Sequence, residues 1–454
     1  MELDEKIGTE GSTQTRNRAS RIDQLLAFSR DVFSEEGYAA FSARRVAAKA
    51  GTTLSTVQYY FPSREDLLRE TVESFLEAYL HAYSSIAEGH GLPQRKLNDL
   101  LQKIFDDVNE PNVPRLMFEA WAVAQHEPEV LEIVERTYAH YRLILARLIL
   151  EINPALSQEE SIVRATLVAS QTEGLMIFAF RGGDTEKDNL EVARTMKRSA
   201  RYLASLPPQI HDEFEDGVPE ASHSDLSTAG QAPLTLSFPQ STESATAHRR
   251  PTMQSIRRAE KVREIIRIAA GLLSTEGYAN FTQGRVAKLA GILTSNLQHY
   301  FKTHDELLHA TLHALMSTYL VRYSAISVAS NKSPVTRMDE ITTDLVSEIK
   351  NPNVVSFSLE MFALAQRNEV ANELLIRVYR AYREIFVSLV HELDPAASSK
   401  ECYARATLIA ATLEGLMLYR RSLAGAPGRF AAVNRVLTSL AVLIGQGLPQ
   451  DSAS

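Results

Sequence analysis

Residues 42–61 read Ser42-Ala43-Arg44-Arg45-Val46-Ala47-Ala48-Lys49-Ala50-Gly51-Thr52-Thr53-Leu54-Ser55-Thr56-Val57-Gln58-Tyr59-Tyr60-Phe61. Ser42 is a helix N-cap by residue type, and Val46, Ala47 and Ala50 form a small apolar face behind it. Gly51 turns the chain after about one and a half helical turns, and Thr53 or Ser55 can cap a second short helix. A short helix, a tight glycine turn and a short helix rich in Ser, Thr, Gln and Tyr predict helix-turn-helix geometry. In such a unit the second helix brings small polar side chains to base edges, while aromatic and basic groups hold phosphates.

The same stretch occurs twice. At a constant offset of 240, Arg45-Val-Ala-Ala-Lys-Ala-Gly51 matches Arg285-Val-Ala-Lys-Leu-Ala-Gly291, and Gln58-Tyr-Tyr-Phe61 matches Gln298-His-Tyr-Phe301. Upstream, Gly37-Tyr38 pairs with Gly277-Tyr278. Further along the offset becomes 241, where Arg164-Ala-Thr-Leu167 meets Arg405-Ala-Thr-Leu408 and Glu173-Gly-Leu-Met176 meets Glu414-Gly-Leu-Met417. The sequence therefore predicts duplication of a unit of roughly 200 residues, much longer than a solenoid repeat.

Each copy reads as all helical. Ile22, Leu25, Leu26, Ser29, Val32 and Phe33 share one helix face stopped by Gly37, and Val262, Ile265, Ile266, Ala269 and Leu273 repeat it before Gly277. Prolines 93, 111, 128 and 154 fall between the later periodic segments, where they delimit helices rather than kink them. Residues 207–250 are rich in Pro, Ser, Thr and acidic groups and read as a flexible linker.

Bulk composition narrows the function. The 454 residues carry one cysteine, Cys402, which excludes an internal disulfide framework and any multi-cysteine metal site. No run reaches the roughly 20 apolar residues of a membrane span, and the polar N-terminus lacks the apolar core of a signal peptide, so a cytoplasmic protein is expected. The net charge is −8, but it is uneven. Residues 15–65 hold eight Lys/Arg against five Asp/Glu, and residues 249–305 hold ten against four, leaving an acidic remainder. Two basic segments on an acidic body suit local contact with nucleic acid.

The spacing of Ala-Gly, a polar stretch, Tyr-Phe and Ser63-Arg64-Glu65-Asp66-Leu67-Leu68, with Gly37-Tyr38 ahead of it, resembles the TetR family of bacterial one-component regulators. The resemblance implies, in each copy, a three-helix DNA-binding domain followed by a helical ligand and dimerisation domain. Two departures stand out. Gln58 and Gln298 occupy a position that is usually aromatic, and the usual lysine opening the fourth helix is Arg64 in one copy and His304 in the other. Arg64 keeps a cationic phosphate clamp, whereas His304 is mostly neutral at pH 7.

On this reading the DNA-binding candidates of the first copy are Arg44, Arg45, Thr53, Ser55, Thr56, Gln58, Tyr59, Tyr60 and Arg64. Those of the second are Arg257, Arg258, Arg285, Thr294, Ser295, Asn296, Gln298, His299, Tyr300, Lys302 and His304. Gln58 and Gln298 can read adenine through two hydrogen bonds or can simply face water. Tyr60 and Tyr300 suit phosphate oxygens, and Arg257 and Arg258 belong to a basic arm that also includes Arg249 and Arg250.

The segments around Phe118-Glu119-Ala-Trp121 and Leu359-Glu360-Met-Phe362 resemble the ligand domain of the betaine/choline-regulator subgroup. Candidate effector-pocket residues are Phe118, Glu119, Trp121, Tyr138, Tyr141 and Met176, with Glu360, Phe362, Tyr379, Tyr382 and Met417 in the second copy. Aromatic and Met residues at helical spacing also build ordinary cores. Glu119 and Glu360 can receive a cationic effector, or cap a helix or pair with a nearby arginine.

The expected organisation is thus a first DNA-binding domain at 18–80, a ligand domain at 81–206, the linker, a second DNA-binding domain at 255–320 and a second ligand domain at 321–448. The family resemblance pairs the last two helices of each copy, so one chain forms an intramolecular pseudo-dimer, with further dimerisation open. The function expected is transcriptional regulation, as a ligand-responsive repressor with two non-identical heads on an asymmetric operator in double-stranded DNA. The alternative has one head that binds DNA, the other being a degenerate dimerisation or partner-binding module. No cofactor or metal is expected. An enzyme is disfavoured, because no phosphate loop, metal spacing or Ser/His/acid set recurs in both copies.

Overall fold

The computed structural model describes residues 2–179, 186–208 and 253–449, and among them every regular element is a helix. Most of the expected linker, residues 209–250, lies outside the described residues, as do Arg249 and Arg250. In the first half run α1 (Glu2–Ala40), α2 (Ala43–Lys49), α3 (Leu54–Tyr60), α4 (Arg64–Ala87), α5 (Pro93–Asn109), α6 (Asn112–Val123), α7 (Pro128–Ile152), α8 (Gln158–Ala179) and α9 (Glu186–Ser205). The second half follows as α10 (Met253–Glu276), α11 (Gln283–Leu289), α12 (Thr294–Gln298), α13 (His304–Ser327), α14 (Pro334–Ile349), α15 (Pro352–Leu364), α16 (Glu369–Leu393), α17 (Ser399–Gly415), α18 (Arg420–Ala424) and α19 (Arg429–Gln446). No helix among the described residues is long and apolar enough to cross a membrane.

Local signals set the helix ends. Ser42 accepts from the Arg45 amide, and Ser63 with Asp66 forms a reciprocal capping box at the start of α4. Pro93 and Pro128 stand in the first turns of α5 and α7, where their missing N–H groups leave nothing unpaired. Gly37 breaks α1 with φ +72°, ψ 174°, and Gly277 follows α10 with φ +73°, ψ 173°. As expected, the long first helix stops at Gly37; a separate short helical turn to Ala40 follows the break, matched by a 3-10 turn, Tyr278–Asn280, in the second half.

The first three helices of each half close on a small core. Leu25, Val32, Phe33, Phe41, Val46 and Val57 are buried in one, and Ile265, Leu273, Phe281, Val286 and Leu297 in the other. The larger bodies meet through α8 and α17. Helix α8 is buried on nearly every face, as expected of a helix at the centre of a bundle. The crossing is tight at Gly174 and Gly415. A Cβ at Gly174 would strike the Ala411 carbonyl, and one at Gly415 the Ser170 carbonyl, so only glycine admits this approach. Helices α9 and α19 pack beside the pair. Arg429 adds a two-pronged bridge to Glu159 at 2.7 and 2.9 Å. Arg164 donates to the carbonyls of Leu203, Leu206 and Pro207, closing the end of α9, which gives its repeated Arg-Ala-Thr-Leu motif a structural use.

Candidate DNA-contact heads and effector cavities

Helices α2 and α3 meet through Gly51 at φ +61°, and α11 and α12 through Gly291 at φ +64°. Both turns lie in the left-handed region, where a side chain would be strained. Val57 and Leu297 anchor the second helix of each turn from beneath, which leaves its other faces outward. Arg44, Arg45, Thr53, Ser55, Gln58 and Tyr59 are exposed, while Thr56, Tyr60 and Arg64 are half-buried. In the second head Arg257, Arg258, Arg285, Thr294, Ser295, Asn296, Gln298, His299 and Lys302 are exposed, and Tyr300 and His304 are half-buried.

Several of these groups already have protein partners. Arg45 pairs with Glu36, and Arg285 grips Glu276 at 2.8 and 3.2 Å. Arg258 lies 5.4 Å over the Tyr300 ring and donates to the His299 carbonyl. Arg64 donates to the Phe41 and Tyr38 carbonyls and to the Tyr38 hydroxyl, and stacks on the Tyr38 ring. Its guanidinium therefore holds the corner between α1 and α2. His304 makes the corresponding bond to the Phe281 carbonyl at 2.9 Å.

Inside each body a cavity surrounds a buried carboxyl group. The first, about 30 Å³, is lined by Tyr83, Tyr138, Tyr141, Met117, Met176 and Glu173 among others. The second, about 80 Å³, is lined by Tyr323, Tyr379, Tyr382, Phe357, Met417 and Glu414 among others. Tyr138 donates to Glu173 at 2.8 Å and Tyr379 to Glu414 at 2.8 Å. Burial pushes Glu173 up to about 8 and Glu414 to about 7, because an apolar site disfavours the charged form. Tyr138, Tyr141, Met176, Tyr379, Tyr382 and Met417 were expected at these sites. Glu173, Glu414, Tyr83 and Tyr323 were not, although the repeated Glu-Gly pair amid apolar residues was a usable signal.

The other expected pocket residues lie elsewhere. Phe118 packs on Phe362 with ring centroids 5.6 Å apart, and Trp121 donates its indole N–H to the Tyr138 hydroxyl at 2.8 Å. Glu119 and Glu360 sit where heads meet bodies. Glu119 accepts from the Tyr38 amide at 3.0 Å and pairs with Arg367. Glu360 accepts from the Tyr278 amide at 3.3 Å and contacts His126 at 2.6 Å. Pairing with a nearby base is the arrangement both carboxylates adopt. Among the described residues no group of three or more His, Cys, Asp or Glu is placed to hold a metal ion.

The family model for "Bacterial regulatory proteins, tetR family" matches residues 25–71, within the first head. An uncharacterized HTH-type transcriptional regulator in the dhlA 5' region of Xanthobacter autotrophicus is 27% identical over 185 residues, covering 40% of this chain and 88% of that protein. The HTH-type transcriptional regulator BetI of Rhizobium meliloti is 26% identical, covering 38% and 82%. The HTH-type transcriptional repressor KstR2 of Mycolicibacterium smegmatis is 26% identical over 101 residues, 22% of this chain and about half of that protein (49%). A solved TetR transcription regulator from Haloarcula marismortui aligns with 40% of this chain and 97% of its own at 17% identity and a TM-score of 0.35. The family model on the first head and the regulators among its relatives make this chain similar to TetR-family transcriptional regulators.

Proposed function

We propose that this chain is a ligand-responsive repressor in which two regulator units, 18–206 and 255–448, pair within one polypeptide. The unit pair presents two non-identical heads to an asymmetric DNA operator. The observation that carries this reading is the recurrence of one turn geometry, Gly51 and Gly291, in two helix-turn-helix segments whose bodies pack through α8 and α17. Pairing inside one chain needs no threshold concentration. Two heads about 34–36 Å apart fit successive major grooves, and unequal heads suit an operator without a palindrome.

The effector enters the cavities around Glu173 and Glu414. Tyrosine rings and an ionisable carboxyl suit an organic cation, which is drawn both to ring faces and to a carboxylate. Such a cation favours the ionised acid, so its binding strengthens as pH rises toward about 7 at Glu414 and about 8 at Glu173. Filling a cavity shifts the spacing of the heads and breaks one set of groove contacts.

Electrophoretic mobility shift of the intact chain on DNA upstream of its own gene tests the proposal. A specific shift that tetraalkylammonium salts weaken is the expected result, and absence of any specific shift would sink it. A second reading, with one working head, draws on the second head, where α12 has no side-chain cap and His304 replaces a permanently charged residue. Tyr60→Ala and Tyr300→Ala, made separately, discriminate: comparable losses of affinity require both heads, and loss in Tyr60→Ala alone leaves one.

A further inference from the structure

The glycine break that ends the long helix of each head is covered by a base from the opposite half of the chain. A Cβ at Gly37 would land on the Arg367 guanidinium, and one at Gly277 would sit 2.8 Å from His126 Nε2. Each break is followed by a tyrosine whose amide is bound by a carboxylate on the head's own side, Tyr38 by Glu119 and Tyr278 by Glu360. The other oxygen of that carboxylate faces the crossing base, Arg367 on Glu119 and His126 on Glu360. His126 follows α6 and Arg367 follows α15, at matching positions of the two halves. The two crossed bridges flank one cavity of about 350 Å³ between the heads.

We infer that these crossed carboxylate–base bridges latch the heads to the bodies, and that the latches differ in kind. The first head is held by an arginine that stays charged, the second by a histidine that can release it. Arg367 cannot lose its proton in the range where proteins are folded. His126 can, and a neutral imidazole keeps at most a hydrogen bond to Glu360 where the imidazolium keeps an ion pair as well. The second head is therefore firmly seated in acid and loosened in mild base, while the first stays seated throughout.

The surroundings of His126 set the sign. Glu360 from α15 faces it directly, Glu127 is its chain neighbour, and Tyr278 and Glu276 of the second head line the same cavity with Glu119, Tyr38 and Arg367. The hydrogen bond and charge of Glu360 outweigh burial and raise His126 above its ordinary 6.5. A base raised in the folded state contributes its full stabilisation below its ordinary value and loses it as pH climbs through the raised one. The latch thus opens on the alkaline side of 6.5.

Spin labels on the full chain test the latch without any need for an operator. Tyr59→Cys and Leu293→Cys place one label on each head at exposed positions, while the native Cys402 is buried. Distance distributions are recorded by pulsed electron resonance at about pH 5.5 and about pH 8.5. The expected result is a narrow peak at the lower pH that is lost at the higher one. His126→Arg should keep the narrow peak at both values, and His126→Gln should lack it at both. Arg367→His should add a second pH-dependent broadening. A peak that does not change with pH in the otherwise unaltered chain overturns the inference, as does a His126→Arg variant that broadens like its parent. Should His126→Arg fail to fold by circular dichroism, a narrow peak in His126→Gln at the higher pH overturns it equally.

Discussion

The two heads share their turns and differ in what fastens their ends. Gly51 and Gly291 adopt nearly the same φ, as do Gly37 and Gly277. In the first head Thr53 accepts from the Thr56 amide and starts a seven-residue α3. At the same place the second head has Leu293, exposed and unable to cap, and α12 is only five residues long. Ser29 and Thr71 share a buried hydrogen bond at 2.6 Å between α1 and α4, whereas Ala269 stands opposite Thr311 in the second head. Arg64 makes two hydrogen bonds to the head backbone and a third to the Tyr38 hydroxyl, where His304 makes one to the Phe281 carbonyl. Backbone turns that only glycine permits are the same in the two heads, and fastenings worth about 1 kcal/mol each differ.

The most severe way to break the likeness is at the glycine breaks. Gly37→Ala and Gly277→Ala force a side chain into a region of backbone space nearly reserved for glycine and displace Arg367 or His126. Each should cost about 2–3 kcal/mol in urea unfolding, with similar losses in the two heads. Arg64→Ala removes three hydrogen bonds and should cost about 2 kcal/mol, against about 1 kcal/mol for His304→Ala, which separates the heads by the same measurement. Thr53→Ala should cost about 1 kcal/mol and speed hydrogen exchange within α3. The smallest effect sharpens the comparison from the other side. Leu293→Thr should restore a cap to α12, gain about 0.5 kcal/mol and slow exchange of its first amides; an unchanged exchange rate would show that the missing cap does not explain the shorter helix.

Much of the heads was legible in residue order. The cap at Ser42, the Gly51 turn and the apolar face of Val46 and Ala47 all depend on neighbours within a few positions, so the sequence pattern alone predicts them. The cavities around Glu173 and Glu414 were half legible. Tyr138 and Tyr379 could be singled out as aromatic positions at helical spacing, but Glu173 and Glu414 could not be assigned to a cavity until α7 and α8, or α16 and α17, were packed. Glu119 and Glu360 stood out as retained acids among apolar residues, yet their partners could not be read from spacing. His126 and Arg367 occupy equivalent positions of the two halves but are different bases, so the repeat alone does not mark them as a pair.

The amino-acid order by itself determined where helices begin, turn and end, because caps, prolines and left-handed glycines act on the backbone within one or two turns. It also determined that the two halves carry the same pattern. Only the tertiary structure decided that Glu119 would meet Arg367 across 248 residues and His126 would meet Glu360 across 234. Such contacts follow from how the bodies pack at Gly174 and Gly415, and no local preference encodes a partner that far away along the chain.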